Sequence, residues 1–219
     1  MAEQRYFTAD YLERTTLHDG TEVRLRLVRP DDKVRLRRGF ELLSAESRYA
    51  RFLGPKSALT DDELRYLCDV DQETHFALGA TREDDFEIGL GIARFITLPD
   101  EHATAEAAIA VADEVHGRGL GKLLFLRLCA AAAERGIERF RCDVLGSNHG
   151  MAALIARIAP DRTIEVGEGV MSIELALPNV TPTEPAIGPA PHGGMYSLFR
   201  AAAENAVEWT EAVRKLWRR

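Results

Sequence analysis

Nowhere does this sequence run through the ~20 consecutive apolar residues that a membrane-spanning helix requires, so no membrane partner is expected. Cysteine is scarce. Cys68, Cys129 and Cys142 are odd in number, widely spaced and form no CxxC pair, which excludes a disulfide framework and reads as a reduced, cytosolic pattern. The six histidines do not pair with them at ligand spacing, so no metal is expected. Positive charge is in the minority. With 28 Lys and Arg against 35 Asp and Glu, the net charge of −7 opposes a general nucleic-acid binder. The N-terminus lacks the apolar core of a secretion signal and is too acidic for a transit peptide, so a cytoplasmic location is expected. No internal repeat or heptad register is present.

What is there is an ordinary globular balance, 46% hydrophobic and 29% charged over 219 residues, enough for one substantial core. Residues 1–20 read as an irregular or helical arm. Thr21–Val28 alternates Val23, Leu25 and Leu27 with charged residues, the pattern of a half-buried strand. Helices follow at Asp31–Leu43 and Ser44–Phe52, then a third opened by Thr60-Asp-Asp-Glu, a capping box, and running to Cys68. His75–Thr81 and Ile88–Leu98 read as a hairpin and Thr104–Val111 as the next strand. A helix at Leu120–Arg135, a strand at Phe140–Leu145 and a helix at Asn148–Ile158 come next, and strands at Thr163–Val166 and Val170–Leu177 close the domain. The order is a mixed α+β one. Residues 178–194 hold five of the nine prolines and read as a linker, and 195–219 as an amphipathic helix. Its Trp209, Leu216 and Trp217 suit docking on the domain, on the acceptor cleft or on a second copy in a homodimer.

The centre of the chain is Ala105–Arg127, AEAAIAVADEVHGRGLGKLLFLR. A strand, a turn with Gly117, Gly119 and Gly121, and a helix N-terminus make a cradle for a pyrophosphate. Glycines let backbone approach the anion, and free amides and the helix dipole face it. HGRGLGK does not have the spacing of a dinucleotide fingerprint, nor does Lys122 fit a P-loop.

The run VADEVHGRGLGKLL resembles motif A of the GCN5-related N-acetyltransferase (GNAT) superfamily, [Q/R]-x-x-G-x-[G/A]. His116 takes the first position, where Gln or Arg is usual; Gly119 and Gly121 take the glycine positions, with Gly117, Arg118 and Leu120 between. VLGSN at Val144–Asn148 resembles the family's following strand and Asn, and the likeness spans about Glu22–Leu177. LSAESRYARFLG, VDQETHFALGA, AEAAIAVADEVHGRGLG and VLGSNHGM are similar to the catalytic domain of bacterial Pat-type protein lysine acetyltransferases. The arm before residue 21 is far too short for the domains fused to it there. The resemblance implies a GNAT fold, with a mostly antiparallel sheet of about seven strands and a splayed pair over residues 21–177. It also implies acetyl-CoA as cosubstrate, with the backbone of Ile109 and Val111 on its pantetheine arm.

Acetyl transfer to an amine requires a phosphate cradle, for which Arg118–Leu123 amides with Arg118 and Lys122 are candidates, and a general base. Glu106 interrupts an apolar strand and shares a face with the small Ala108 and Ala110, which leave room for a substrate. In the Pat-like proteins the Glu of the matching "AE" pair is the proposed base. Asp113 and Glu114 are rivals at the turn, where acidic residues are commonly solvated; His75 is expected to pack at the strand end, and His116 and His149 to flank the site. Asn148 is expected to cap the following helix, to bond the cofactor arm, or both. The region MAALIARI lacks the tyrosine that serves many superfamily members as acid. The expected activity is acetyl-CoA-dependent N-acetyl transfer, favoured acceptor a protein lysine. The alternatives are a small-molecule amine or a non-catalytic CoA-binding sensor.

Overall fold

The computed structural model describes residues 5–101 and 103–180. The helix expected at 195–219 and the homodimer contact assigned to it lie outside the described residues, as does the linker beyond residue 180. Eight strands form one sheet in the order β1-β2-β3-β4-β5-β6-β8-β7. They are β1 Leu12–Thr16, β2 Glu22–Leu27, β3 His75–Arg82, β4 Gly89–Thr97, β5 Thr104–Val111, β6 Arg139–Leu145, β7 Thr163–Gly167 and β8 Val170–Ala176. Every neighbouring pair is antiparallel except β5 and β6.

The reading of residues 1–20 as an irregular or helical arm is corrected: Leu12–Thr16 adds an eighth strand where about seven were expected. The reason is its place at the sheet edge. Its residues are exposed or half-buried, so no alternation of apolar residues was needed to seat it. Side chains hold it instead. Glu13 accepts from the buried Arg127 at 2.6 and 2.8 Å, and Arg14 donates to Glu83 at 2.9 Å.

Among the described residues five helices flank the sheet: α1 Lys33–Leu42, α2 Ala45–Phe52, α3 Asp61–Cys68, α4 Leu120–Ala133 and α5 His149–Ile158. The capping box of α3 is in place, with Thr60 Oγ1 accepting from Glu63 N and Glu63 accepting from Thr60 N. Ser44 caps α2 through Ser47 N, and Asn148 caps α5 through Met151 N.

The core lies on both faces. One face carries an aromatic ladder across β3, β4 and β6, with Phe76 stacked on Phe95 at 5.3 Å, Phe95 against Phe140 at 5.9 Å, and Phe125 of α4 meeting Phe140 at 6.2 Å. Each such ring contributes ~1.5–3 kcal/mol of burial, so α4 is pinned to the sheet along its length. The opposite face carries α1 and α3, with Val28, Cys68 and Ala77 packed against Leu36, Val70 and Ile92. All three cysteines are buried and free. Burial pushes the thiol of Cys68 up to about 11 and that of Cys142 to about 12, and raises Cys129 as well, so they serve as small hydrophobes. No helix among the described residues is long and apolar enough to cross a membrane.

Candidate active site

Strands β5 and β6 are paired over three positions only, Thr104 to Arg139, Ala105 to Phe140 and Glu106 to Arg141. Beyond that rung β5 continues to Val111 against β4 alone. The parallel pair therefore opens into a wedge, and Glu106 stands at its apex.

Backbone parity decides what lines the wedge. Leu98 N donates to Thr104 O and Ala112 N donates to Leu90 O, so even-numbered residues of β5 turn their amide and carbonyl groups toward β4. Ile109 and Val111 then turn theirs into the gap. These are the two positions that the resemblance assigns to the pantetheine arm. The Val111 carbonyl is already used: the His116 imidazole donates to it from Nε2 at 3.0 Å. His116 thereby ties the turn to the end of the strand.

At the wide end, Gly117 (φ 73°) and Gly119 (φ 98°) take left-handed conformations that a β-carbon would strain. The first backbone bond into α4 runs from Leu123 N to Gly119 O at 3.0 Å. The amides of Leu120, Gly121 and Lys122 precede it, and neither a side-chain cap nor an acidic residue occupies the first turn. An ordinary globular helix is capped there by Ser, Thr, Asp or Asn, and the first turn of this one is bare.

A cleft of about 660 Å³ joins these parts, lined from β5 and the turn by Ile109, Val111, His116, Gly117 and Gly121 and from α5 by Asn148. A second pocket of about 260 Å³ continues it to Glu106 and shares Ile109 and Asn148 as lining. The structure thus brings together seven of the eleven expected site residues. The other four stand apart. Leu120 is fully buried in the core. The Arg118 side chain is ion-paired with Asp19 in the β1–β2 turn, and the ring of His18 sits against Gly119. Arg118, Gly119 and Lys122 do not line the cleft.

The rivals for the base also resolve. Asp113 accepts from Ser44 N at 2.9 Å, Ser44 Oγ at 2.9 Å and Ser47 Oγ at 2.7 Å, anchoring α2 to the turn. Burial pushes its carboxyl up, but these donors outweigh it and hold the group below its usual value. Glu114 is exposed. His75 Nε2 accepts from Arg94 Nη1 at 3.1 Å, so the ring is neutral; burial, then Arg94, lowers its pKa. His149 begins α5 and lines the 660 Å³ cleft. Helix α5 carries no tyrosine, but Tyr49 of α2 lines the same cleft. Among the described residues no group of three or more His, Cys, Asp and Glu side chains could hold a metal ion.

Sequence reasoning missed two arginines here. Arg51, near the end of α2, lines both pockets, and Arg94 on β4 is buried at 4% exposure. For Arg94 the signal was present: a cation interrupts the apolar strand GLGIARFIT just as Glu106 interrupts β5. For Arg51 there was none, since an arginine on a short amphipathic helix is usually a solvated one.

Comparison with known proteins places this geometry. The profile of the Acetyltransferase (GNAT) family matches residues 40–159. Acetyltransferase Pat of Mycolicibacterium smegmatis is 33% identical over 167 residues, 74% of this chain and 49% of that protein. Acetyltransferase PA5475 of Pseudomonas aeruginosa is 30% identical over 140 residues, covering 64% of this chain and 75% of the relative. The crystal structure of the GNAT domain of S. lividans PAT superposes with a TM-score of 0.69 at 28% identity, over 78% of this chain and 99% of that domain. The chain spans about half the length of the mycobacterial relative.

Proposed function

The chain belongs to the acetyltransferase (GNAT) family, and from that premise we propose that it transfers an acetyl group from acetyl-CoA to an amine. The favoured acceptor is a protein lysine and the general base is Glu106. The observation that carries this reading is the position of Glu106 on the last paired rung of β5 and β6, where the wedge begins to open. It is the carboxylate that interrupts β5, and the pocket it lines runs into the cleft that ends at the glycine turn.

The residues fit a CoA-type ligand. Gly121 lines the cleft with no β-carbon, and the backbone of Ile109 and Val111 is turned into the gap that β6 leaves open. The amides of Leu120, Gly121 and Lys122 and the α4 dipole would hold the pyrophosphate, with Val111 N–H and the Ile109 backbone on the pantetheine arm and Asn148 beside it. Bound acetyl-CoA supplies an activated thioester carbonyl. Glu106 then accepts the proton of the incoming ammonium, directly or through one water, because only the neutral amine is nucleophilic. Ala108 and Ala110 follow Glu106 along the same face and leave space for the acceptor. The likeness of the motifs around Arg51, His75 and Glu106 to Pat-type lysine acetyltransferases supports a lysine acceptor.

The test is Glu106→Gln. Amine-dependent release of CoA thiol is expected to fall by ~100-fold or more, while acetyl-CoA affinity measured by calorimetry stays within about twofold. Full turnover in the variant removes Glu106 as base. Absence of amine-dependent release in the unmodified protein, across protein and small-molecule acceptors, leaves a CoA-binding sensor in place of an enzyme.

A further inference from the structure

Glu106 shares its end of the cleft with cations that nothing in the proposed reaction uses. Arg51 lines the 660 Å³ cleft, the 260 Å³ pocket of Glu106, and a third pocket of about 110 Å³ under α1, α2 and α3. It is half-buried, yet among the described residues its guanidinium has no hydrogen-bond acceptor and no carboxylate within ion-pair distance. Its contact is with the ring of Phe52, at 5.2 Å. Arg94 lies against the same third pocket and, among the described residues, donates only to neutral acceptors, Leu67 O at 2.9 Å and His75 Nε2 at 3.1 Å. The rest of that pocket is largely apolar, with Leu36, Phe40, Phe52 and Leu59 among its lining.

The other sheltered arginines have acceptors: Arg48 and Arg135 donate to backbone carbonyls, and several more hold a carboxylate. Arg26 and Arg35 share Asp32, Arg24 pairs with Glu83, and Arg127 pairs with Glu13. A protein with 35 acidic residues has acids to spare, and it withholds them from these two. A buried cation without a counter-ion is costly, and two neighbouring ones more so. Burial, then the charge of Arg51, lowers Arg94 to about 10, which still leaves it charged at neutral pH. Glu106 acts on Arg51 from across the pocket, but that carboxylate is wanted as a base.

We propose that Arg51, with Arg94 behind it, forms a carboxylate-binding subsite for the acceptor, so that the molecule presenting its amine to Glu106 also carries a carboxylate. This rests on the acyl-transfer reading above and narrows its acceptor class. A guanidinium offers a planar fork of donors that matches a carboxylate, and Arg51 stands where the Glu106 pocket and the apolar third pocket meet. The carboxylate has two sources with the same chemistry, an acidic side chain next to the acceptor lysine in a protein or the α-carboxylate of a free amino acid.

The experiment uses the 219-residue chain saturated with CoA and two matched probe pairs. One pair is the capped peptide Ala-Lys-Glu and its Ala-Lys-Gln counterpart; the other is free lysine and lysinamide. Calorimetry is expected to give the acid member of one pair at least about tenfold tighter binding than its amide, and the pair that discriminates identifies the source. Arg51→Gln is expected to bring that ratio close to one with acetyl-CoA affinity retained, and Arg51→Lys to restore part of it. Equal binding, or none, for acid and amide in both pairs overturns the subsite. So does an Arg51→Gln protein that loses acid and amide equally, which would make Arg51 a support for Glu106. A preference for succinyl-CoA over acetyl-CoA without acid–amide discrimination moves the anion to the acyl donor and also overturns it. Initial rates of CoA release from acetyl-CoA are read with the same probes. Acid-selective binding without release from any amine keeps the subsite and removes the transfer reading, so the two fail separately.

Discussion

The two ends of the cleft are built by different means. On the proposed reading the donor end works through backbone: the free edge of β5 at Ile109 and Val111, two glycines at positive φ, and the uncapped amides of α4. All of them fall between residues 109 and 122. On the proposed reading the acceptor end works through side chains gathered from afar, Glu106 of β5 and Arg51 of α2 with Arg94 of β4 behind it, and no two of them are neighbours in sequence. A backbone site needs a fixed chain path and tolerates varied side chains. A side-chain site needs each residue type, and it depends on the packing that brings α2 and α3 over the sheet. The donor end should therefore be sensitive to added β-carbons, the acceptor end to lost anchors and lost charge.

The largest effect beyond Glu106 itself is expected at the anchor of α2. Asp113→Ala removes the acceptor of three hydrogen bonds from Ser44 and Ser47, and with it the fixed position of the helix that carries Arg51. Acceptor kcat/KM should drop about tenfold and stability in urea by ~1 kcal/mol, with acetyl-CoA affinity nearly unchanged. A loss confined to acetyl-CoA affinity would break the comparison by making α2 part of the donor end.

At the donor end, a β-carbon on Gly121 would meet Leu154 and Val111 side chains at an ordinary 3.8 Å, so the fold accommodates it. Gly121→Ala should leave stability equal or higher, by up to ~1 kcal/mol from helix propensity. Its acetyl-CoA affinity, by calorimetry, should stay within about twofold, since motif A admits Ala at this position. Gly117→Ala, at φ 73°, should instead lower the urea midpoint and acetyl-CoA affinity together, because there the chain path itself requires glycine.

A pH series separates the ends further. His75 has its pKa lowered, by burial and then by Arg94, so below about 6.5 the unfolded chain takes a proton that the folded chain declines. Its contribution to stability is present above that pH and is lost as pH falls through the folded value. Protonation also removes the acceptor that Arg94 uses. Urea midpoints should fall between pH 7 and pH 5 and fall less in His75→Phe. Equal slopes would show that the ring is not sheltered.

The smallest effect is expected from Arg118→Ala. With its guanidinium on Asp19 and outside the cleft lining, the side chain is a link to the β1–β2 turn, and acetyl-CoA affinity should change less than about threefold. A tenfold loss would put a side-chain cation into the donor end and blur the distinction.

The same division governs what could be read from residues alone. β5 was expected at Thr104–Val111 and is found there, because a charged residue, an alternating apolar run and a glycine turn are all local signals. The capping box at Thr60 and the Asn148 cap were legible for the same reason. β1 was not, since an exposed edge strand has no burial pattern to display. The cations of HGRGLGK were expected on phosphate, and Arg118 went instead to Asp19, 99 residues away in the chain. Asp113 looked like a solvated turn residue until α2 was folded against it.

By itself the sequence determined the strand, glycine turn and helix at the centre of the chain, the family they belong to, and Glu106 as the charge that does not suit an apolar strand. Those features depend on neighbours within a few residues, where backbone geometry and hydrophobic period are set. Only the tertiary structure decided that β6 leaves β5 after three pairs, that Glu106 falls at the point of departure, and that Arg51 lines its pocket with no carboxylate at ion-pair distance among the described residues. Those outcomes come from packing α1–α3 on one face of the sheet and α4 on the other, and charge partners chosen across such distances leave no trace in local pattern.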